Sequence, residues 1–311
     1  LAAILPLVLR QLLDGQPPLW GWNLLATLSA AALGWRTLQC LRGWPRPAML
    51  AQLGWLWRWT LVASATIKVL LLQGTPGISG AWMLLLVLLP LCALAALALA
   101  RPHWIASPLA ELLPKLRPPL LGSVLFVLGL YWLAGLFMAG DTAPMTYLPL
   151  LNPLELLLIL ITLLVARWLG DGTTATALRR GRPMVLGVLG MAVVTSATLR
   201  AVHQLGHVPW NDALLDSSLA QMSLTVVWSV FGLLAWVWGS RRGQRLVWLA
   251  GAMTMGVVLA KLLLIDRSHL GNLFGIASFI AYGLLCTVIG YLAPAPPRLP
   301  STSTGEAADA P

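Results

Sequence analysis

Apolar runs of membrane-crossing length recur along this chain, separated only by short polar connections, and they constrain its fold more than any other feature. Read in helix-length windows, the runs are Leu1–Leu13, Trp20–Trp35, Ala51–Leu72, Ala81–Ala100, Leu120–Ala139, Tyr147–Trp168, Met184–Leu205, Leu219–Gly239, Arg245–Ile265 and Gly271–Leu292. A helix needs about 20 mainly apolar residues to cross a hydrocarbon core, and lipid forces the backbone to satisfy its own hydrogen bonds. The expectation is an all-α fold: a polytopic transmembrane helical bundle of about nine to ten spans over residues 1–292. At about 20 residues per span no room is left for a sizeable extramembrane domain. Residues 293–311, rich in Pro, Ser, Thr and Ala, read as a disordered tail. The chain is 59% hydrophobic and 10% charged, against about 25% charged residues in soluble domains. That excludes an ordinary soluble globule. The first run is already under way at Leu1, so the chain reads as part of a longer protein.

Basic residues set the sidedness, because cytoplasmic loops collect Lys and Arg. One set of connections carries Arg36, Arg42 and Arg46, then Arg101, Lys115 and Arg117, then Arg179, Arg180 and Arg182, then Arg241, Arg242 and Arg245. The connections between them carry Asp14, no charge around Gly74–Gly80, Asp141, Asp212 with Asp216, and Asp266 beside Arg267. The alternation places the basic connections and the C-tail in the cytoplasm, in a multi-pass protein of a bacterial inner membrane. It also accounts for the net charge of +10 without nucleic acid as a partner; the bilayer is the partner. Many tryptophans, such as Trp44, Trp82, Trp104, Trp168 and Trp210, fall near span ends as an aromatic belt does. Cys40, Cys92 and Cys286 have no motif spacing, so neither a disulfide nor a metal site is read, and no cofactor motif is present.

Charges inside spans cost several kcal/mol unless they snorkel, pair or face water. Those in or near span edges are Arg58, Lys68, Glu155, Arg167, Arg200 and Lys261. Apart from Arg58 and Arg167 they fall in the outer parts of their helices, with Asn152, His203, His207 and Gln221. Ser196, Arg200, His203 and His207 are spaced 4, 3 and 4 along one helix face; Ser218, Gln221, Thr225 and Ser229 form a second stripe; Asn152 and Glu155 share a third. Converging, these faces would line an outward-opening polar pocket. His203 and Glu155 are the candidate catalytic groups, and Arg200, Lys261, Asn152, Gln221, His207 and Trp210 the candidate binding groups. Each also has a plain structural reading. Asn152-Pro153-Leu154-Glu155 spells a helix start with Asn at the N-cap, and Ser218 to Gln221 has capping-box spacing. Lys68 and Lys261 have stems long enough to snorkel. Arg58, among Trp55, Trp57 and Trp59, has rings to stack on.

The ordered set Asn152-Pro-Leu-Glu155, Thr198-Leu-Arg200-Ala-Val-His203, Trp210, Gln221 with Trp228, Gly239-Ser-Arg-Arg-Gly243, Lys261-Leu-Leu-Leu-Ile-Asp266, Ser278-Phe279 and Gly290-Tyr291 resembles the C-terminal part of a bacterial family. It is the family of polytopic membrane proteins known as domain of unknown function 2339. The resemblance covers the last half of the chain and implies an integral inner-membrane protein without an assigned activity. Three functions fit the sequence. One is a membrane transferase or hydrolase acting on an envelope lipid or glycan, with an anionic lipid or glycan as substrate. Another is a transporter or flippase for an anionic solute or lipid. The third is a non-catalytic structural or assembly subunit.

Overall fold

The computed structural model describes Leu19, residues 21–75, 77–172, Thr174, residues 176–262, Leu264 and residues 272–292. The expected partial span at Leu1–Leu13, the acidic residues Asp14 and Asp266, and the tail from Ala293 lie outside the described residues. Eleven α-helices and three short 3-10 turns make up the described secondary structure, with no strand among these residues.

The helices are α1 (Gly21–Cys40), α2 (Pro45–Gly74), α3 (Gly80–Ala100), α4 (Leu113–Leu136), α5 (Pro153–Leu169), α6 (Thr176–Arg180), α7 (Arg182–Gly206), α8 (Ala213–Asp216), α9 (Ser218–Arg241), α10 (Arg245–Lys261) and α11 (Asn272–Leu292). Each of the nine full apolar runs overlaps a helix among the described residues. Five helical stretches, at Pro45–Gly74, Gly80–Ala100, Ala110–Leu136, Arg182–Gly206 and Ser218–Arg241, are long and apolar enough to cross a membrane. Helices α5 and α10 have 17 residues each, a rise of about 25 Å. Helix α5 starts at Pro153 rather than near Tyr147, because Asn152 caps it. The preceding six residues run as an irregular segment.

The chain forms two compact units, Leu1–Arg182 and Pro183–Pro311. In the N-terminal unit, Leu120, Leu121, Val124 and Leu128 of α4 are buried, as are Leu154, Leu157, Leu158 and Ile161 of α5 and Leu91, Leu94, Ala95 and Ala98 of α3. Helices α4 and α5 run antiparallel: Trp132 Nε1 donates to Thr162 Oγ1 at 3.1 Å, and Gly135 faces Leu158 and Leu154. At the basic end Arg117 ties three elements together. Its Nε donates to the Ala98 carbonyl at 2.8 Å, and its Nη2 pairs with Asp171 at 2.8 Å. Asp171 is therefore an acid inside a basic connection, held there by a specific arginine.

In the C-terminal unit α9 and α10 form an antiparallel hairpin of unusually close approach. Built onto Gly239, a Cβ would lie 2.2 Å from the Trp248 backbone nitrogen; onto Gly251, 2.4 Å from that of Trp236. Only glycine allows backbones this near, the small-residue logic of helix pairs in lipid. The rings of Trp236 and Trp248 then meet edge to face at 5.6 Å. The hairpin turns through Arg242 and Gly243, the latter at φ +65 where a side chain would be strained. Helix α7 packs antiparallel to α9: Trp228 Nε1 donates to Thr195 Oγ1 at 2.9 Å, and Gly206 sits against Leu219. Tyr282 of α11 donates to the Met255 carbonyl of α10 at 2.9 Å.

Candidate functional site

In the N-terminal unit Asn152 and Glu155 are buried at the start of α5, 1% and 0% exposed. Asn152 does what its sequence context predicts: its side-chain oxygen accepts from the Leu154 amide at 2.8 Å, and its Nδ2 donates to the Gly140 carbonyl at 2.6 Å. Glu155 turns away from the cap. Tyr147 donates its hydroxyl to Oε1 at 2.9 Å and Leu150 its amide to Oε2 at 2.5 Å. Leu150 sits at φ 68, which a bulky side chain rarely adopts. The carboxylate is what holds that amide inward. Nothing in the local sequence spells out these two partners; a left-handed leucine carries no sequence signal.

The other polar outliers of this unit have local explanations. Arg58 is buried, lies 5.6 Å and 5.4 Å from the ring centroids of Trp55 and Trp59, and donates to the Thr27 carbonyl at 3.1 Å. Trp57 instead donates to Ser123 Oγ at 3.1 Å. Gln52, fully buried, donates through Nε2 to the Ser107 carbonyl at 2.9 Å and that of Ile105 at 3.3 Å. Lys68 and Arg167 are exposed.

The C-terminal unit carries the remaining candidates. Along α7, Ser196 and Arg200 are buried, Arg200 completely, and it is the largest fully buried side chain among the described residues. His203, one turn on, is half-buried. Its Nδ1 lies 2.6 Å from the Val208 carbonyl, and its ring meets Trp210 edge to face at 5.7 Å. A carbonyl can only accept, so Nδ1 carries a hydrogen, and in the neutral ring Nε2 holds the lone pair. The stripe stops at His203. Helix α7 ends at Gly206, and His207, exposed and at φ 53, is carried off the face by the turn. Val202, Leu214 and Ala220, with Leu199, Val208 and Trp210 around them, form the apolar core beneath that turn.

The second stripe meets the end of α10. Lys261, 7% exposed, donates from Nζ to the Gln221 carbonyl at 3.0 Å and to Thr225 Oγ1 at 2.7 Å. Thr225 donates in turn to the Gln221 carbonyl at 2.9 Å, and Ser229 to that of Thr225 at 2.7 Å. Gln221 donates through Nε2 to the Leu215 carbonyl. Lys261 thus turns inward between helices, where a snorkelling lysine would turn out. The cap of α9 is Ser217, one residue before the expected Ser218: its hydroxyl accepts from the Ala220 amide at 3.2 Å. Ser218 is exposed, so Gln221 is free of any capping role. Among the described residues no group of three His, Cys, Asp or Glu could hold a metal ion.

The sequence as a whole matches one family model, described as Predicted membrane protein (DUF2339), over residues 1–296. The chain belongs to that family. The match is wider than the C-terminal resemblance, for it takes in α1 to α5 as well. Comparison with curated proteins and with solved structures gives no match. The family description speaks of membrane character alone.

Proposed function

We propose that this DUF2339 protein is a bacterial inner-membrane protein of about nine to ten spans with an outward-facing polar site in its C-terminal unit, where it transfers or hydrolyses an envelope lipid or glycan. The observation that carries the reading is His203: its Nδ1–H on the Val208 carbonyl fixes the tautomer that leaves Nε2 as a base. Arg200, one turn deeper, and Lys261, at the same end of the unit, supply positive charge for an anionic group. The basic connections, the α9–α10 turn among them, and the C-tail face the cytoplasm on this reading.

Two experiments test it. In a background without Cys40, Cys92 and Cys286, a cysteine replacing Asp212 is labelled from outside and one replacing Ser240 is not; the reverse result overturns the topology. Membrane abundance and phenotype are then measured together. Arg200→Ala and His203→Ala abolish activity at unchanged abundance, whereas Lys68→Ala, on an exposed site, changes neither. A second reading, a non-catalytic assembly subunit, is favoured by the structural work of Asn152 and Lys261. It is preferred if Arg200→Ala lowers abundance, as removal of one partner of a buried charge pair does at about 3–5 kcal/mol, and His203→Ala changes nothing.

A further inference from the structure

One acceptor in the C-terminal unit is left over. Gln221 is 9% exposed, and its Oε1 is buried with no hydrogen-bond partner among the described residues. Exchanging the amide's oxygen and nitrogen does not resolve this. Nε2 faces the Leu215 carbonyl, which can only accept, so the nitrogen must stay where it is. Nor is the residue loose: its own carbonyl takes Thr225 Oγ1 and Lys261 Nζ, which pins this turn of α9. A buried orphan acceptor is destabilising, and an apolar side chain of the same shape would avoid it. The turn lies at the same end of the unit as His203, since α7 and α9 run antiparallel and Gly206 packs against Leu219.

The geometry points to Gln221 Oε1 as the acceptor for a hydroxyl of the bound substrate, making that substrate an alcohol-bearing anion, with a glycerol or sugar hydroxyl near its charged group. The assignment rests on the reading of this end of the unit as a substrate site. The alternatives fit worse. A carboxylate or a fully ionised phosphate offers Oε1 only acceptors. An ammonium group would approach a turn already occupied by the Lys261 ammonium. A hydroxyl supplies a donor without charge. A free polyol phosphate and the headgroup of a glycerol-bearing lipid share this chemistry.

The test uses matched pairs that differ in the hydroxyl, on the purified full chain in nanodiscs. In the soluble arm, affinity is compared for sn-glycerol 3-phosphate and n-propyl phosphate. In the lipid arm, retention is compared for phosphatidylglycerol and phosphatidylpropanol. The expected result is a preference of about tenfold for the hydroxyl-bearing member in one arm or both; the arm that shows it identifies the source. Gln221→Met abolishes the preference, and Gln221→Glu, which keeps an acceptor but gives up the Leu215 contact, retains it. No preference in either arm, or one that survives in Gln221→Met, overturns the assignment and leaves Oε1 to a buried water. Lost preference with Arg200→Ala and His203→Ala still inactive removes the subsite alone. A clear preference with a dispensable His203 removes the acid–base reading alone.

Discussion

The two units use buried polar side chains differently. In the N-terminal unit three of them reach into connections, while Arg58 links α2 to the Thr27 carbonyl of α1: Gln52 holds the carbonyls of Ile105 and Ser107, Asn152 holds Gly140, and Glu155 holds Tyr147 and the amide of Leu150. In the C-terminal unit they link helix to helix, through Lys261 on Gln221 and Thr225 and through Trp228 on Thr195. Each unit also keeps a buried amide oxygen without a partner among the described residues, Gln52 Oε1 in the first and Gln221 Oε1 in the second, but only the second has it at the end where Arg200, His203 and Lys261 lie. Position in a membrane helix alone therefore does not mark function. A buried polar group whose bonds all go to its own connection is a fastener. One that keeps a lone pair after its fastening is done, beside other charged and imidazole groups, has something left to offer a ligand.

The comparison breaks most visibly at the glycines. Gly239→Leu and Gly251→Leu force the α9 and α10 backbones apart, and folded protein in the membrane falls by about tenfold or more, as an overpacking cost at or above about 1–3 kcal/mol implies. Gly34→Ala in the N-terminal unit is milder, by about threefold or less, because its new Cβ meets a Trp55 ring atom at 2.3 Å rather than a backbone. Equal losses in quantitative membrane immunoblots would remove this distinction.

Glu155→Ala comes next. It strands the Tyr147 hydroxyl and the Leu150 amide, at about 1–3 kcal/mol for a buried unsatisfied group. Proteolysis of the segment between Gly140 and Asn152 should rise several-fold while the C-terminal hairpin stays protected. Protection lost evenly throughout would show that Glu155 is no local fastener.

Arg117→Gln has a smaller effect. The Arg117–Asp171 pair is 15% and 21% exposed, and partly exposed pairs are worth about 1 kcal/mol or less. Thermal stability of the purified protein should drop by a few degrees at most, and Asp171→Asn should do the same. The smallest effect is of opposite sign. Leu150→Gly relieves a left-handed leucine and stabilises by about 1 kcal/mol or less, measured as a rise in the same thermal transition.

The helices were legible because apolar length leaves a chain in lipid few choices. So were the Asn152 cap, written in Asn-Pro-Leu-Glu, and the stripe of Gln221, Thr225 and Ser229, set by helical period. Less legible were features that depend on where a turn goes. Ser217 and Ser218 are equally good caps on paper, and the departure of His207 needs the end of α7 to be known. The Tyr147 and Leu150 contacts to Glu155 come from an irregular segment with no period to read. The close α9–α10 approach is spelled by Gly232, Gly239 and Gly251 with intervening tryptophans, a spacing that resembles no short motif.

The same hairpin bears on how the protein enters its membrane. Helix α10 carries a lysine in its last described turn, and a lone charge in lipid is costly, so by itself it would be a poor passenger. Against α9 the lysine finds the Gln221 carbonyl and the Thr225 hydroxyl, and Gly251 finds a backbone to lie on. The two helices are thus suited to leave the insertion machinery as a pair, and a ribosome stalled after α9 but before Lys261 would leave a half-made object that lipid has no way to complete.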